Sequence, residues 1–161
     1  MRSLTGIRAF AALFAVGIVA SGCSEVAADA PEMTAHAPEM TVYATPTCGC
    51  CGAWIEHIRE SGITVQVVYQ DDLSAIRAEH ELPRDLMSCH MGVIDGFAVE
   101  GHVPADVVQR MLVERPAILG IAAPGMPIGS PGMEHPDGLT QPYEIYSWDE
   151  SGPKAVYEVR N

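Results

Sequence analysis

Positive charge is scarce in this chain. Nine lysines and arginines stand against 21 acids, a formal net charge of −12. That balance excludes nucleic acid as a partner, because nothing neutralises phosphate. It suits contact with cations, although most of the acids read as a solvated surface. Long hydrophobic runs are missing too. The apolar stretch 9–20 holds 12 residues, whereas a helix needs about 20 to cross a bilayer. Two separate Cys-x-x-Cys knuckles, the usual structural zinc pattern, are absent. No proline falls between Pro83 and Pro104, and nothing repeats beyond Pro-Glu-Met at 31–33 and 38–40.

What is present begins with a sorting signal. A short basic start carrying Arg2 and Arg8 leads into the apolar stretch, and Ala20-Ser21-Gly22-Cys23 follows. A secretory signal peptide over 1–22 is expected. Small residues before a cysteine resemble a bacterial lipobox, which makes Cys23 the expected lipidation site and the new N-terminus. Removing 1–22 takes away two arginines and no acid, so −12 becomes −14. The expected location is the periplasm, with membrane contact only through the lipid anchor. Thiols persist in that oxidising compartment only when paired or metal-bound. Residues 23–39 are rich in Ala, Pro and Glu without periodicity and read as a flexible tether. Met33, His36 and Met40 read as incidental there rather than as copper ligands. Residues 40–161 remain as one domain.

Patterning gives that domain an order of elements. A strand is expected over 40–45 and a helix over 49–61, with Cys51, Ile55 and Ile58 on one face and Gly62 as its stop. Residues 63–69 alternate as a strand. Asp71 or Asp72 can cap a helix running to about His80, and a short helical turn can follow to Met87. Residues 92–101 read as two strands around the Asp95-Gly96 turn. Pro104 suits the first position of a helix with Val107, Val108, Met111 and Leu112 on its buried side. Residues 143–148 and 154–159 form a further hairpin. The order β-α-β-α-β-β-α is that of a thioredoxin fold, so the expected class is α/β and thioredoxin-like, with a C-terminal loop and β-hairpin extension.

Four of the five cysteines fall in two short segments, Cys48-Gly49-Cys50-Cys51 and Cys89-His90-Met91. Three thiols in four residues exceed the two of a dithiol switch. Cys48 at a helix start is favoured as a thiolate by unpaired N–H groups and the helix dipole. Cys51 lies about one turn on, so both can face one ligand. Cys50 sits about 100° around from Cys51 on an ideal helix. All three can converge on one ion only if the first turn is irregular, or they can share several ions through bridging sulfurs. Thiolate-rich sites select Cu(I), zinc or iron–sulfur clusters. Cys89 falls where a thioredoxin-like oxidoreductase usually carries a cis-proline. His90 is read evenly as ligand or structural hydrogen-bonding group, and Met91 as a core side chain. His57, His80, His102 and His135 read as solvated or structural, and Trp54 as packing. The Gly- and Pro-rich loop 126–133 is a candidate lid, with Met126 a candidate soft ligand.

Four motifs carry a family resemblance. Thr47-Cys48-Gly49-Cys50-Cys51, Ser88-Cys89-His90, the run from Val93 to Pro104 and the run from Pro124 to Met133 resemble the CopG-type family of small bacterial copper-handling proteins. The likeness covers about residues 40–160. It implies a periplasmic thioredoxin-like domain that binds copper through Cys48, Cys50, Cys51 and Cys89, as one Cu(I) or more, and that can change copper's oxidation state. Copper ranks ahead of zinc mainly on this resemblance. Expected partners are copper ions and copper-efflux or other periplasmic copper proteins. No catalytic residue is assigned. Two functions compete: a copper-binding protein serving copper resistance or homeostasis, and a thiol–disulfide oxidoreductase using Cys48 and Cys51. Passive metal buffering is a weaker third.

Overall fold

The computed structural model describes residues 37–152 and 155–161. The expected signal segment, Cys23, Met33 and His36 lie outside the described residues. The expected elements come in their expected order, with one more strand, β5, among them: β1 (Glu39–Ala44), α1 (Gly49–Glu60), β2 (Thr64–Tyr69), α2 (Ser74–Glu79), a 3-10 turn (Arg84–Leu86), β3 (His90–Ile94), β4 (Phe97–Gly101), α3 (Ala105–Glu114), β5 (Gly120–Ala123), β6 (Tyr143–Trp148) and β7 (Ala155–Arg160). No helix among the described residues is long and apolar enough to cross a membrane.

Local chemistry sets the boundaries. Gly62, at φ +89°, takes the left-handed conformation beyond α1 that a side chain resists. Asp72 accepts hydrogen bonds from the Ser74 N–H and hydroxyl, both at 2.8 Å, and so organises the entry to α2. Asp95 and Gly96 both have positive φ, as a tight two-residue hairpin demands. Pro104 precedes α3 as its N-cap instead of starting it. The donor at Ala105 is satisfied from another element: its N–H bonds to His57 Nε2 at 3.0 Å.

The seven strands of the described residues join one sheet in the order β2-β1-β3-β4-β5-β6-β7. β1 pairs in parallel with β2 and antiparallel with β3. Alternation along the strands sends side chains to two faces. On one face Met40, Val42, Ile94, Val99, Ile121 and Ile145 meet Trp54, Ile55 and Ile58 of α1 and Val107, Val108 and Met111 of α3. On the other, Met91, Ala98, Ala122 and Trp148 meet Leu82 and Leu86. Fully buried side chains such as Ile58 and Met111 each contribute roughly 1.5–3 kcal/mol from apolar burial. Met91 is core, as its pattern suggested.

β5 was not expected. It pairs in parallel with β4 and antiparallel with β6, so the C-terminal hairpin extends the same sheet. Its residues, Gly-Ile-Ala-Ala, have little β-propensity and are buried on both faces, so neither composition nor alternation marks them.

Candidate metal centre

The first segment is aimed by the end of β1 and the start of α1. Cys48 is the N-cap of α1, with extended backbone angles of φ −82° and ψ 96°. It stands outside the helix, so its sulfur is not bound to helical spacing, whereas Cys50 and Cys51 lie within the first turn. The Sγ atoms of Cys48 and Cys50 are 3.6 Å apart. Cys48 and Cys51 are joined as a disulfide.

The second segment comes in from β3. Ala44, the last residue of β1, pairs with His90, the first of β3, so Cys89 lies opposite the start of α1. Cys51 Sγ is 3.8 Å from the Cys89 carbonyl oxygen. The ligand atoms of Cys48, Cys50, Cys51 and Cys89 all lie within 4.8 Å of one another, and those of Cys89, His90 and His102 form a second such group. Cys50 and Cys89 are free and partly exposed.

His102 follows β4, and its ring reaches Cys89, a contact that the sequence did not indicate. The cause is sheet topology: β3 and β4 are adjacent antiparallel strands, so the start of one lies beside the end of the other. Its signal in the sequence was only position, just past the strand that pairs with Cys89's own. His102 is fully buried. Its Nδ1 is 2.8 Å from the Pro131 carbonyl. A carbonyl only accepts, so Nδ1 carries the proton and Nε2 keeps its lone pair. That lone pair faces Cys89 Sγ at 3.2 Å. His90 Nδ1 also lies 3.2 Å from this sulfur. A thiol has one proton to give. If it goes to His102 Nε2, His90 Nδ1–H donates to the sulfur and His90 Nε2 is left a lone pair. That Nε2 is buried without a hydrogen-bond partner.

Burial sets the protonation states. It pushes the Cys89 thiol up to about 11, with Cys50 adding to the rise. It drives His90 down to about 3, helped by His102, and lowers His102 as well. Both imidazoles are therefore neutral near pH 7, the form that binds metals. Trp54 holds the pair in place. Its ring centroid is 4.3 Å from that of His90, and its Nε1 donates to the Val103 carbonyl at 2.8 Å. His57, His80 and His135 are structural or peripheral: His57 accepts at α3, His80 ends α2, and His135 sits near Asp137.

Loop 126–133 meets the cluster through Pro131 and Gly132. A Cβ added at Gly132 would lie 2.8 Å from both Cys50 O and Trp54 N, so the loop backbone rests directly on the first two turns of α1. The loop is tied to itself through buried Ser130, whose hydroxyl donates to Pro127 O at 2.7 Å. Met126 is exposed and has a φ of +48°.

A thiolate and imidazole set of this kind fits a soft or borderline cation better than Mg²⁺ or Ca²⁺. Residues 86–133 match a family described as "Protein of unknown function, DUF411". No curated protein matches the chain. Two solved structures of a protein described as copper resistance protein copG are similar over 78% of this chain. Form 2 is 39% identical with a TM-score of 0.73 and is covered over 100% of its own length. Form 1 is 39% identical with a TM-score of 0.72 and is covered over 98%.

Proposed function

This chain belongs to the CopG-type family, and from that premise we propose that it is a periplasmic copper-binding protein that serves copper resistance or homeostasis. One observation carries the reading: four cysteine sulfurs from two distant segments converge within 4.8 Å. Thiolates at that density favour Cu(I), the cargo we assign to Cys48, Cys50, Cys51 and Cys89. The second group, sharing Cys89 with His90 and His102, gives room for more than one ion through a bridging sulfur. Sheet order β2-β1-β3-β4, with helices α1 and α3 on one face, supports a thioredoxin-like core. The basic and apolar start of the chain supports export, with Cys23 lipidated and residues 23–39 as a tether. Copper-efflux or other periplasmic copper proteins are then the natural partners.

Loading requires the Cys48–Cys51 disulfide to open. The S–S bond takes two electrons and becomes two thiolates. A dithiol donor can supply both electrons by thiol–disulfide exchange and ends as a disulfide itself. The thiolates then bind Cu(I), and each thiol still protonated releases its proton on binding.

The same disulfide favours a second reading, thiol–disulfide exchange on protein substrates. The test is anaerobic titration of the reduced protein with Cu(I) against a chromophoric Cu(I) chelator, beside an insulin-reduction assay. Copper held against the chelator with negligible insulin reduction supports the copper reading. Rapid insulin reduction without copper retention supports the second.

A further inference from the structure

The segment that delivers Cys89 has no proline to stiffen it. It has a buried ion pair instead. Arg77 on α2 and Glu100 on β4 meet at 2.6 Å, with side chains 15% and 0% exposed. Both also hold Ser88, the residue before Cys89. Arg77 Nη2 donates to the Ser88 carbonyl at 2.7 Å, and the Ser88 N–H donates to Glu100 Oε1 at 2.6 Å. Ser88 is also pressed against β4: a Cβ added at Gly101 would lie 2.8 Å from Ser88 Cβ. A buried ion pair is a poor device for stability alone, since desolvation offsets much of the attraction. Hydrogen bonds from charged groups are, however, the strong and directional ones. Burial pushes the Glu100 carboxyl up, while the Ser88 N–H and the Arg77 guanidinium pull it down.

We propose that Arg77 and Glu100 are positioning residues of the thiol cluster: they clamp both backbone groups of Ser88 and thereby fix Cys89 opposite Cys50 and the Cys48–Cys51 pair. The clamp does at this segment what a proline ring would do by covalent restraint. The effect on metal binding rests on the copper reading; the placement of the Cys89 thiol does not.

The test uses the full chain with Arg77→Met and Glu100→Gln, each alone and combined with Cys89→Ser or Cys50→Ser. Cu(I) affinity of the reduced protein is measured by chelator competition, beside a thermal melt. Removing the clamp should lower Cu(I) affinity about tenfold or more, as loss of a group that orients a ligand does. Cys89→Ser should then cost less affinity in the Arg77→Met background than in wild type, while Cys50→Ser costs the same in both. A general structural role would not single out Cys89. Equal loss from Cys89→Ser in both backgrounds overturns the clamp. If the wild-type protein retains no Cu(I), the copper reading fails and the disulfide-bonded apo protein decides. There, a several-fold rise in Cys89 alkylation relative to Cys50 supports the clamp, and a constant ratio overturns it. If Arg77→Met does not fold, Glu100→Gln and Arg77→Lys carry the same comparison.

Discussion

Gly132→Ala should lift the loop from the cluster. Gly132 has a φ of +81°, and its new Cβ would lie 2.8 Å from two backbone atoms of α1, Cys50 O and Trp54 N. Left-handed backbone costs an L-residue about 1–2 kcal/mol, and overpacking typically adds about 1–3 kcal/mol. The sum, about 2–5 kcal/mol if the loop stayed in place, is an upper bound, since local opening relieves it. Both contacted atoms belong to a helix and cannot give way, so the loop moves. Its departure breaks the His102 Nδ1 hydrogen bond to Pro131 and releases the tautomer that points a lone pair at Cys89. Cu(I) affinity should fall about 10–100-fold, the usual consequence of losing such an orienting partner. Gly138→Ala is the control. It has a φ of +69° and nothing within 4 Å of its added Cβ, so it keeps the backbone penalty without the clash. Chelator competition and thermal melts on both variants separate the terms. Equal Cu(I) affinity in Gly132→Ala, Gly138→Ala and wild type would refute the reasoning.

Three further outcomes follow from the same geometry. His57→Ala removes the acceptor for the Ala105 N–H and should destabilise the protein by about 1 kcal/mol in denaturant, with Cu(I) affinity unchanged; a loss of affinity would place His57 in the site. His90 has its pKa held down to about 3, so the unfolded chain takes up the proton first. Its contribution to stability is present above the unfolded value near 6.5 and is lost as pH falls from there through 3. His90→Gln should flatten that part of the stability profile, and an identical profile would contradict the shift. The Cys89 thiol, raised to about 11, must lose its proton when it binds a metal. Cu(I) affinity should therefore rise with pH below that value, by about tenfold per unit for each proton displaced, and less steeply in Cys89→Ser; equal slopes would remove Cys89 as a ligand.

The sequence was most readable where chemistry is local. Gly62 and Asp95-Gly96 act on their immediate neighbours, and each does what its residue type implies; Asp72 bonds Ser74, but the N-cap of α2 is Leu73. The cysteine segments stood out by density alone. What escaped depends on tertiary placement. β5 lacks β-branched residues at three of its four positions and is a strand because β4 and β6 flank it. His102 enters the site through the pairing of β3 with β4. Arg77 and Glu100 are 23 residues apart, and nothing local distinguishes them from the other acids and arginines. The convergence of Cys48 with Cys50 and Cys51 turned on one N-cap conformation, which residue type does not dictate.

X-ray absorption at the copper edge tests the central claim most directly. It requires anaerobically reduced, Cu(I)-loaded protein, wild type and Cys89→Ser. The expected wild-type spectrum is that of Cu(I) in a sulfur-dominated shell, with short copper–copper scattering if sulfurs bridge two ions. Cys89→Ser should lose sulfur from that shell and copper from the sample. A wild-type shell of nitrogen and oxygen alone, or a Cys89→Ser spectrum and copper content identical to wild type, would contradict a copper site built on the four converging thiols.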